Sequence, residues 1–265
     1  MGDLPPGVHV MPEADYFAMT EHASSSVLRG LAKRTPAEVR YDLDHPKTKA
    51  EYDWGTAVHT ALLGTGAHVV PLEFDSWRGN AVKAEAEAVR AMDFVPLLRK
   101  DYEAVQAAVA AVRAHPLAGA LLSTPGHSER VWLWERDGVK ARAMVDRETV
   151  LGDTPVFVDL KTTGKCACET CWAKTVTDLG YDQQADHYLS GAAALGVVGV
   201  AWLWVVVHAD PPHLVAVHGL SDAFAERGHR RNAAALDVWR RCLDTGEWPG
   251  HPVEITYPEP PRWAA

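Results

Sequence analysis

The nine residues PVFVDLKTT, at positions 155–163, place two charged side chains inside an otherwise apolar and β-branched stretch. Such a stretch is typical of a buried strand. Because side chains alternate between the faces of a strand, Asp159 and Lys161 are predicted on one face and Leu160 on the other. Burying a carboxylate and an ammonium group costs free energy unless they meet a metal ion, a partner or a substrate. The stretch is therefore a candidate functional site.

The residues before this stretch show strand periodicity from Glu129 onward. Two runs, RVWLWE at 130–135 and VKARAMVD at 139–146, flank the turn residues RDG and predict a β-hairpin. A further turn leads into the strand at 155–163. Three antiparallel strands would bring Asp146 and Asp159 towards one end of one sheet.

Two predicted helices carry further polar side chains. The helix at about 50–63 contains GTAVH, which places His59 one turn after Gly55. A histidine in such an apolar setting is more often a hydrogen-bonded core residue than a ligand. The helix at about 181–194 carries a polar stripe with i, i+3 and i+7 spacing that is predicted to face the sheet: Tyr181, Gln184 and Tyr188.

These side chains suit one kind of chemistry. Two carboxylates and an imidazole can hold a hard divalent cation that keeps several waters for substrate. The ammonium group of Lys161 can orient or deprotonate a water and offset phosphate charge. Together these groups could hydrolyse a phosphodiester bond.

Their order along the chain resembles the PD-(D/E)XK nuclease superfamily. Asp146-x12-Asp159-Leu160-Lys161 resembles its D-x(n)-D-x-K signature, although Asp159 replaces the commoner Glu. QADHY at 184–188 resembles the QxxxY motif, and GTAVH resembles the GxxxH helix of the same branch. The order of motifs is similar to that of RecE-like (exonuclease VIII-like) and λ-exonuclease-like phage recombination exonucleases.

The resemblance implies an α/β fold with a restriction-endonuclease-like core, in which helices flank a central mixed β-sheet, and with an N-terminal helical region. We expect one nuclease domain over residues 1–265. Within it, a helical part at about 17–125 precedes a nuclease core at about 126–218 and a C-terminal helix at about 219–250.

The resemblance also implies roles for the charged residues. Asp146 and Asp159 would bind the catalytic Mg²⁺ or Mn²⁺, together with the Leu160 carbonyl oxygen and His59. Lys161 would position or activate the attacking water and stabilise the developing negative charge.

Three further residues are implied with supporting roles. Gln184 and Tyr188 would hold the geometry of the site or contact the DNA backbone. Glu129 lies where relatives often carry an acidic residue, but a structural charge at the end of the hairpin, or a salt bridge, is the stronger interpretation from sequence.

The activity implied is that of a metal-dependent DNA exonuclease that degrades linear duplex DNA, with 5′→3′ polarity, from its ends. The 3′ single strands would be passed to a single-strand annealing protein, and the enzyme would form a ring-like homo-oligomer. Two alternatives share the fold: a single-strand or Cas4-like processing nuclease, and a non-catalytic DNA-binding or assembly subunit. A third is a structural ion pair between Asp159 and Lys161. The last two predict that Lys161→Ala leaves function intact.

The cysteines raise a separate question. Iron-sulfur forms of QxxxY nucleases take one cysteine from before the core and three from after the QxxxY helix, whereas Cys166, Cys168 and Cys171 precede that helix. We therefore expect no iron-sulfur cluster and interpret these residues as reduced thiols in a loop. Whether the three bind another metal is open.

Net charge, motifs and hydropathy limit which partners and cofactors the chain can have. A net charge of -9 disfavours nucleic acid on average, but a local basic groove is sufficient for DNA binding. The sequence TGKC at 163–166 does not complete a Walker A loop, which argues against a nucleotide cofactor. No apolar run reaches membrane-spanning length, so we expect no membrane partner and a cytoplasmic protein. The resemblance to phage recombination exonucleases implies a bacterial or phage origin.

Overall fold

A computed structural model describes residues 4–45, 53–66, 68–92 and 94–260. Its eight strands are β1 (Gly7–His9), β2 (Val69–Leu72), β3 (Val95–Leu98), β4 (His127–Arg136), β5 (Val139–Leu151), β6 (Thr154–Thr163), β7 (Ala201–His208) and β8 (Val215–Gly219). Its helices are α1 (Glu13–Ala18), α2 (Ser25–Leu31), α3 (Pro36–Asp44), α4 (Asp53–Leu63), α5 (Asn80–Arg90), α6 (Arg99–Ala114), α7 (Pro116–Ser123), α8 (Glu169–Leu179), α9 (Tyr181–Ala194) and α10 (Asp222–Thr245).

Six strands form one mixed sheet in the order β1-β4-β5-β6-β7-β8. Only β6 and β7 run parallel, and the other neighbours are antiparallel. The predicted hairpin is confirmed, because β4 and β5 are joined at Asp137 and Gly138, which have positive φ values of 52° and 76°. Positive φ at both turn positions matches the right-handed twist of paired strands.

Helices cover both faces of this sheet. On one face, α8 and α9 pack through Trp172, Ala185 and Tyr188 against a cluster rich in tryptophan. On the other face, α4, α6 and α7 pack against the aliphatic side chains of β6 and β7. Leu160 lies in this second cluster and Phe157 in the first, as the alternation of the 155–163 stretch predicts. The predicted α/β fold, a mixed sheet flanked by helices, is confirmed.

Several predicted elements agree with the structure. The helix at 181–194 has the predicted bounds, and of the helix predicted at 50–63 the described part begins at residue 53. Residues 50–52 lie outside the described residues. Ser24, which precedes α2, accepts a hydrogen bond from the Val27 N–H at 3.3 Å and therefore caps that helix.

Other elements differ from the predictions. The residues before the predicted helical part, which begins at about residue 17, contain β1 and the start of α1. The N-terminal part also contains β2 and β3, which pair in parallel as a separate two-stranded sheet. Helix α8, which follows the clustered cysteines, was not predicted either. These elements are short or begin with residues that carry no strong helical pattern.

No single helix in the described parts of the chain is both long and apolar enough to cross a bilayer. Helices α6 and α7 reach that length and composition only when taken together, and the pair is bent by 93°.

Candidate active site

The site lies where strands β5 and β6 stop pairing. Their last paired positions towards the site are Arg147 and Val158, so Asp146 and Asp159 are the next residues in register. Beyond this point the Leu160 N–H donates to Asp146 Oδ2 at 2.8 Å. A carboxylate thus takes the place of a strand partner, which brings the first acidic side chain to the backbone of the second strand.

Asp159 is the most enclosed charged group of the site, with 2% of its surface exposed. Lys161 Nζ lies 2.5 Å from its Oδ2, and Gln184 Nε2 donates to its Oδ1 at 2.8 Å. Burial raises the pKa of the Asp159 carboxyl to about 6, and the neighbouring Lys161 charge opposes this rise. A carboxylate with so little water is a strong candidate for a cation ligand.

The Lys161 ammonium group lies between the carboxylates and an aromatic ring. Burial works to lower the pKa of Lys161, but the combined charges of Asp159, Asp146 and Tyr181 outweigh it and raise the pKa. The Nζ atom also lies 4.9 Å from the centroid of the Tyr181 ring, within the range of a cation–π interaction.

His59 approaches the same position from the opposite face of the sheet. Its Nε2 donates to the Leu160 carbonyl oxygen at 2.9 Å, and its Nδ1 lies 3.8 Å from Asp146 Oδ2. Helix α4 comes close to β6 at Gly55, where a Cβ atom would lie 3.3 Å from Thr162 Oγ1. The small residue therefore lets the helix place the imidazole against the strand.

Tyr188 lies within the core beside the site. Burial raises its pKa well above the ordinary tyrosine value, nearby Asp146 and Asp159 add to this, and a hydrogen bond with Gln184 opposes it. Its ring packs edge to face on Trp202 at 5.4 Å. This placement favours a supporting role for the tyrosine over direct contact with substrate.

Glu129 lies at the open end of the hairpin, beside the site. It falls between the paired positions Ser128–Arg147 and Arg130–Val145, next to Asp146, and has a positive φ of 53°. Burial raises the pKa of Glu129, the nearby Thr65 hydroxyl opposes the rise, and the Asp146 charge adds to it. The structure therefore brings a third carboxylate next to Asp146.

The donor set fits a hard divalent cation. Asp146 and Asp159 supply carboxylates, Leu160 a carbonyl and His59 an imidazole. The 2.9 Å hydrogen bond between His59 Nε2 and Leu160 O would be replaced on metal binding, when Nε2 would lose its proton and the ring would carry one on Nδ1. The separation itself suits two adjacent ligands, which lie about 3 Å apart when both are 2.0–2.1 Å from Mg²⁺. Oxygen-rich sets of this kind suit Mg²⁺ or Mn²⁺.

The structure thus brings together all the residues that the sequence motifs singled out. Two neighbours were missed: Thr65, which contacts Glu129, and Arg29, whose guanidinium lies 5.7 Å from the centroid of the Tyr181 ring. Neither belongs to a motif. Tyr181 was seen only as part of the polar stripe on α9, and its position between Lys161 and Arg29 depends on how α2 packs.

Comparisons with known proteins agree with this fold. A crystal structure named "Putative exonuclease", from Eubacterium rectale, is similar over 93% of this chain and 97% of its own, with a TM-score of 0.61 and 11% identity. A phage related exonuclease from Haemophilus somnus 129PT aligns over 85% of this chain and 96% of its own, with 9% identity. Its TM-score of 0.36 is too low to show a shared fold. The first similarity shows a shared fold.

No curated protein matches the sequence. The sequence does match the family described as a PDDEXK-like domain of unknown function (DUF3799), over residues 24–259. Because this match covers most of the chain, the chain belongs to that PDDEXK-like family, as the motifs at Asp146, Asp159 and Lys161 predict.

Proposed function

We propose that the protein is a metal-dependent exodeoxyribonuclease that hydrolyses linear double-stranded DNA from its ends. The observation that carries the proposal is the convergence of Asp146, Asp159 and Lys161 on one position, with His59 and Gln184 in hydrogen-bond contact. The RecE-like motif order supports 5′→3′ polarity, which would leave 3′ single strands for an annealing protein. A ring-like homo-oligomer remains a prediction of that resemblance.

Each side chain of the site would have its own role in hydrolysis. Asp146, Asp159, the Leu160 carbonyl and His59 would hold Mg²⁺ or Mn²⁺, which when bound would polarise the scissile phosphate and lower the pKa of a bound water. Lys161 would orient the attacking water through its N–H groups and offset the negative charge that develops on the phosphate. Gln184 would keep the Asp159 carboxylate in one orientation.

A cationic surface next to the site supports nucleic acid as the substrate. Lys33 lies among three arginines, Arg231, Arg29 and Arg227; burial lowers its pKa, the charges of the arginines lower it further, and Asp178 opposes them. We call these four residues the basic patch, in which Arg227 also forms an ion pair with the buried Asp182. Arg29 and Lys161 both lie within cation–π range of the Tyr181 ring, which places the patch next to the site. In a chain of net charge -9, this concentration of positive charge suits a phosphate backbone.

A purely structural role for the ion pair between Asp159 and Lys161 is the alternative to catalysis, and a nuclease assay distinguishes the two. We would follow release of acid-soluble nucleotide from linear duplex DNA, with covalently closed circular DNA and single-stranded DNA in parallel, in Mg²⁺, Mn²⁺ or EDTA. Wild type is expected to digest linear duplex only, and only with metal. Lys161→Ala is expected to lower the rate by at least about 100-fold.

Lys100→Ala is a matched control, because this lysine is exposed at the start of α6. It should digest DNA like wild type. Equal digestion by Lys161→Ala and wild type would contradict the proposal. Absence of digestion by a folded wild type would favour the non-catalytic DNA-binding subunit, and digestion of single strands alone would favour the single-strand nuclease.

A further inference from the structure

Three cysteines form a compact group outside the acidic site. Cys166, Cys168 and Cys171 place their sulfur atoms within 4.8 Å of one another. All three are free thiols, and the first two are exposed. They occupy the connection from the end of β6 into the first turn of α8. The spacing of the three cysteines in the sequence does not by itself show that their sulfur atoms meet.

The spacing of the sulfur atoms is close to that of a metal site. Thiolates on a tetrahedral Zn²⁺, each about 2.3 Å from the metal, lie about 3.8 Å apart. The thiols therefore need to move by no more than about 1 Å to share one ion. Thiolates are soft ligands and select Zn²⁺ over the Mg²⁺ that oxygen donors hold. The cysteine group and the acidic site thus call for different metals.

The backbone around the cysteines is already held in place. His218 Nε2 donates to the Ala167 carbonyl at 2.8 Å, which fixes the middle of the segment to strand β8. The Cys168 N–H donates to Cys166 Sγ at 3.3 Å, as expected for a backbone that supports a thiolate. These contacts hold the backbone of the segment in position before a metal binds.

We propose that Cys166, Cys168 and Cys171 bind one Zn²⁺ ion as thiolates, with solvent at the fourth position. Binding would displace the thiol protons to solvent as three Zn–S bonds form. Among the residues that the structure describes, no other group of three or more His, Cys, Asp or Glu residues has this spacing. The exposure of Cys166 and Cys168 leaves a water-accessible side for the fourth ligand.

The position of the ion suggests what it would do. Strand β6 carries Asp159 and Lys161, and α8 leads directly into α9, which carries Gln184. A metal bound at the connection would join the end of that strand to the start of α8. Zinc would therefore hold together the two elements that carry the acidic site, outside the set of residues that would perform hydrolysis.

The test is metal content and cobalt spectroscopy of the full chain. Wild type from zinc-supplemented medium, after extensive dialysis, is expected to carry one equivalent of zinc. The triple variant Cys166→Ser/Cys168→Ser/Cys171→Ser should carry none while keeping its circular dichroism spectrum. Co²⁺ added to the stripped wild type should give a thiolate-to-cobalt charge-transfer band. Cys168→Ser alone should lower the affinity for Zn²⁺ by more than about 10- to 100-fold, which is the loss expected when a residue that only contacts a metal ligand is removed.

Two controls separate this site from other effects. Cys242→Ala changes the remaining cysteine, which is buried in α10, and should keep the zinc. Asp146→Asn should also keep it, so that failure of the nuclease proposal and failure of the zinc proposal can be told apart. Folded wild type without zinc and without a cobalt charge-transfer band would overturn the inference. Bound iron in place of zinc would also overturn the inference. So would a Cys168–Cys171 disulfide that persists under reducing conditions and excludes metal.

Discussion

Burial of the Asp159 carboxylate costs free energy, which its contacts with neighbouring side chains offset. A carboxylate with 2% exposure has lost almost all of its hydration, and removing a charge from water costs several kcal/mol even after the protein relaxes. Lys161 and Gln184 each make one contact with it, through different oxygens. The geometry of this carboxylate therefore depends on both partners.

Gln184→Leu should reduce activity with a moderate loss of stability. The substitution removes the amide donor to Asp159 Oδ1 and leaves the ion pair of the carboxylate with Lys161. We expect digestion of linear duplex DNA to slow by about 10- to 100-fold, as for loss of an outer contact to a metal ligand. The free energy of unfolding should fall by about 1–3 kcal/mol, because a buried acceptor loses its partner. Activity assays and urea denaturation measure the two effects.

The preceding residue provides a matched control. Gln183 is also buried, but its amide donates to Asn232 Oδ1 at 3.0 Å, on the side of α9 that faces α10. Gln183→Leu should therefore cost a similar free energy of unfolding and leave the activity of the folded protein unchanged. If both variants lose activity to the same extent, Gln184 acts only by stabilising α9.

At this scale the motifs predicted much of the candidate site. Alternation along β6 and i, i+3 spacing on α9 were enough to place Asp159, Lys161 and Gln184 on one side of the sheet. The contacts of Thr65 and Arg29 could not be predicted, because they come from residues far away in sequence with no pattern of their own. For Glu129 the sequence favours a structural charge at the end of the hairpin, because its proximity to Asp146 depends on how β4 and β5 align.

Helix α10 links two parts of the molecule along its length. Its first half lies beside α9, where Arg227 forms an ion pair with the buried Asp182 and Asn232 donates to the Gln183 carbonyl. A Cβ atom at Gly228 would lie 2.3 Å from the Asp182 carbonyl oxygen, so the two helices are in direct backbone contact there. This close packing fixes the direction in which Arg227 and Arg231 project.

Arg231→Gln should lower the affinity for duplex DNA and make that affinity less dependent on salt concentration. Arg231 belongs to the basic patch, and each phosphate contact contributes about 0.9 to the slope of log K against log salt. We therefore expect lower affinity and a shallower slope, measured by fluorescence anisotropy in EDTA so that the DNA stays intact. Arg240→Gln on the same helix is the control, because this arginine pairs with Asp237 at 2.8 Å. Equal effects of the two substitutions would rule out a specific role for the patch.

The elements that the sequence predicted are those with a strong period. Helix α9, the β4–β5 hairpin and β6 have clear patterns of 3.6 or 2 residues. Strands β1, β2 and β3 are three or four residues long, which is too short for a period to show. Helix α8 is preceded by Cys168, which has the position of a cap but makes no side-chain capping hydrogen bond, so the start of the helix carries no recognisable signal.

The whole molecule should lose stability in mild acid through one buried histidine. His187 is fully buried, and its Nε2 donates to the Arg142 carbonyl at 3.0 Å. Burial lowers its pKa to about 4, below the ordinary value of 6.5. The unfolded chain therefore binds a proton as pH falls below 6.5 while the folded chain does not. The free energy of unfolding should decrease towards pH 4, by up to about 3 kcal/mol from this residue.

Comparison with His187→Gln isolates this contribution from that of the carboxylates. Glutamine keeps a donor near the Arg142 carbonyl but does not titrate, so the variant should lose less stability between about pH 7 and pH 4. His251→Gln, in the exposed C-terminal segment, should follow wild type. Urea denaturation at several pH values measures all three proteins. Parallel curves for wild type and His187→Gln would contradict the prediction.

The order of strands in the sheet was only partly predictable. Hairpins predict that β4, β5 and β6 are neighbours, because short turns join them. The parallel pairing of β6 with β7 and the edge position of β1 depend on long connections, which leave no local signal.

Strand β1 covers the outer edge of β4 with only three residues, which pair with Val131, Trp132 and Leu133. Without it, β4 would present unpaired N–H and C=O groups beside the apolar run VWLW. Exposed edges with that composition recruit further strands from other molecules and lead to aggregation. The few residues before α1 therefore protect the solubility of the protein, and a fusion tag or a truncation at this end must leave Gly7–His9 free to pair.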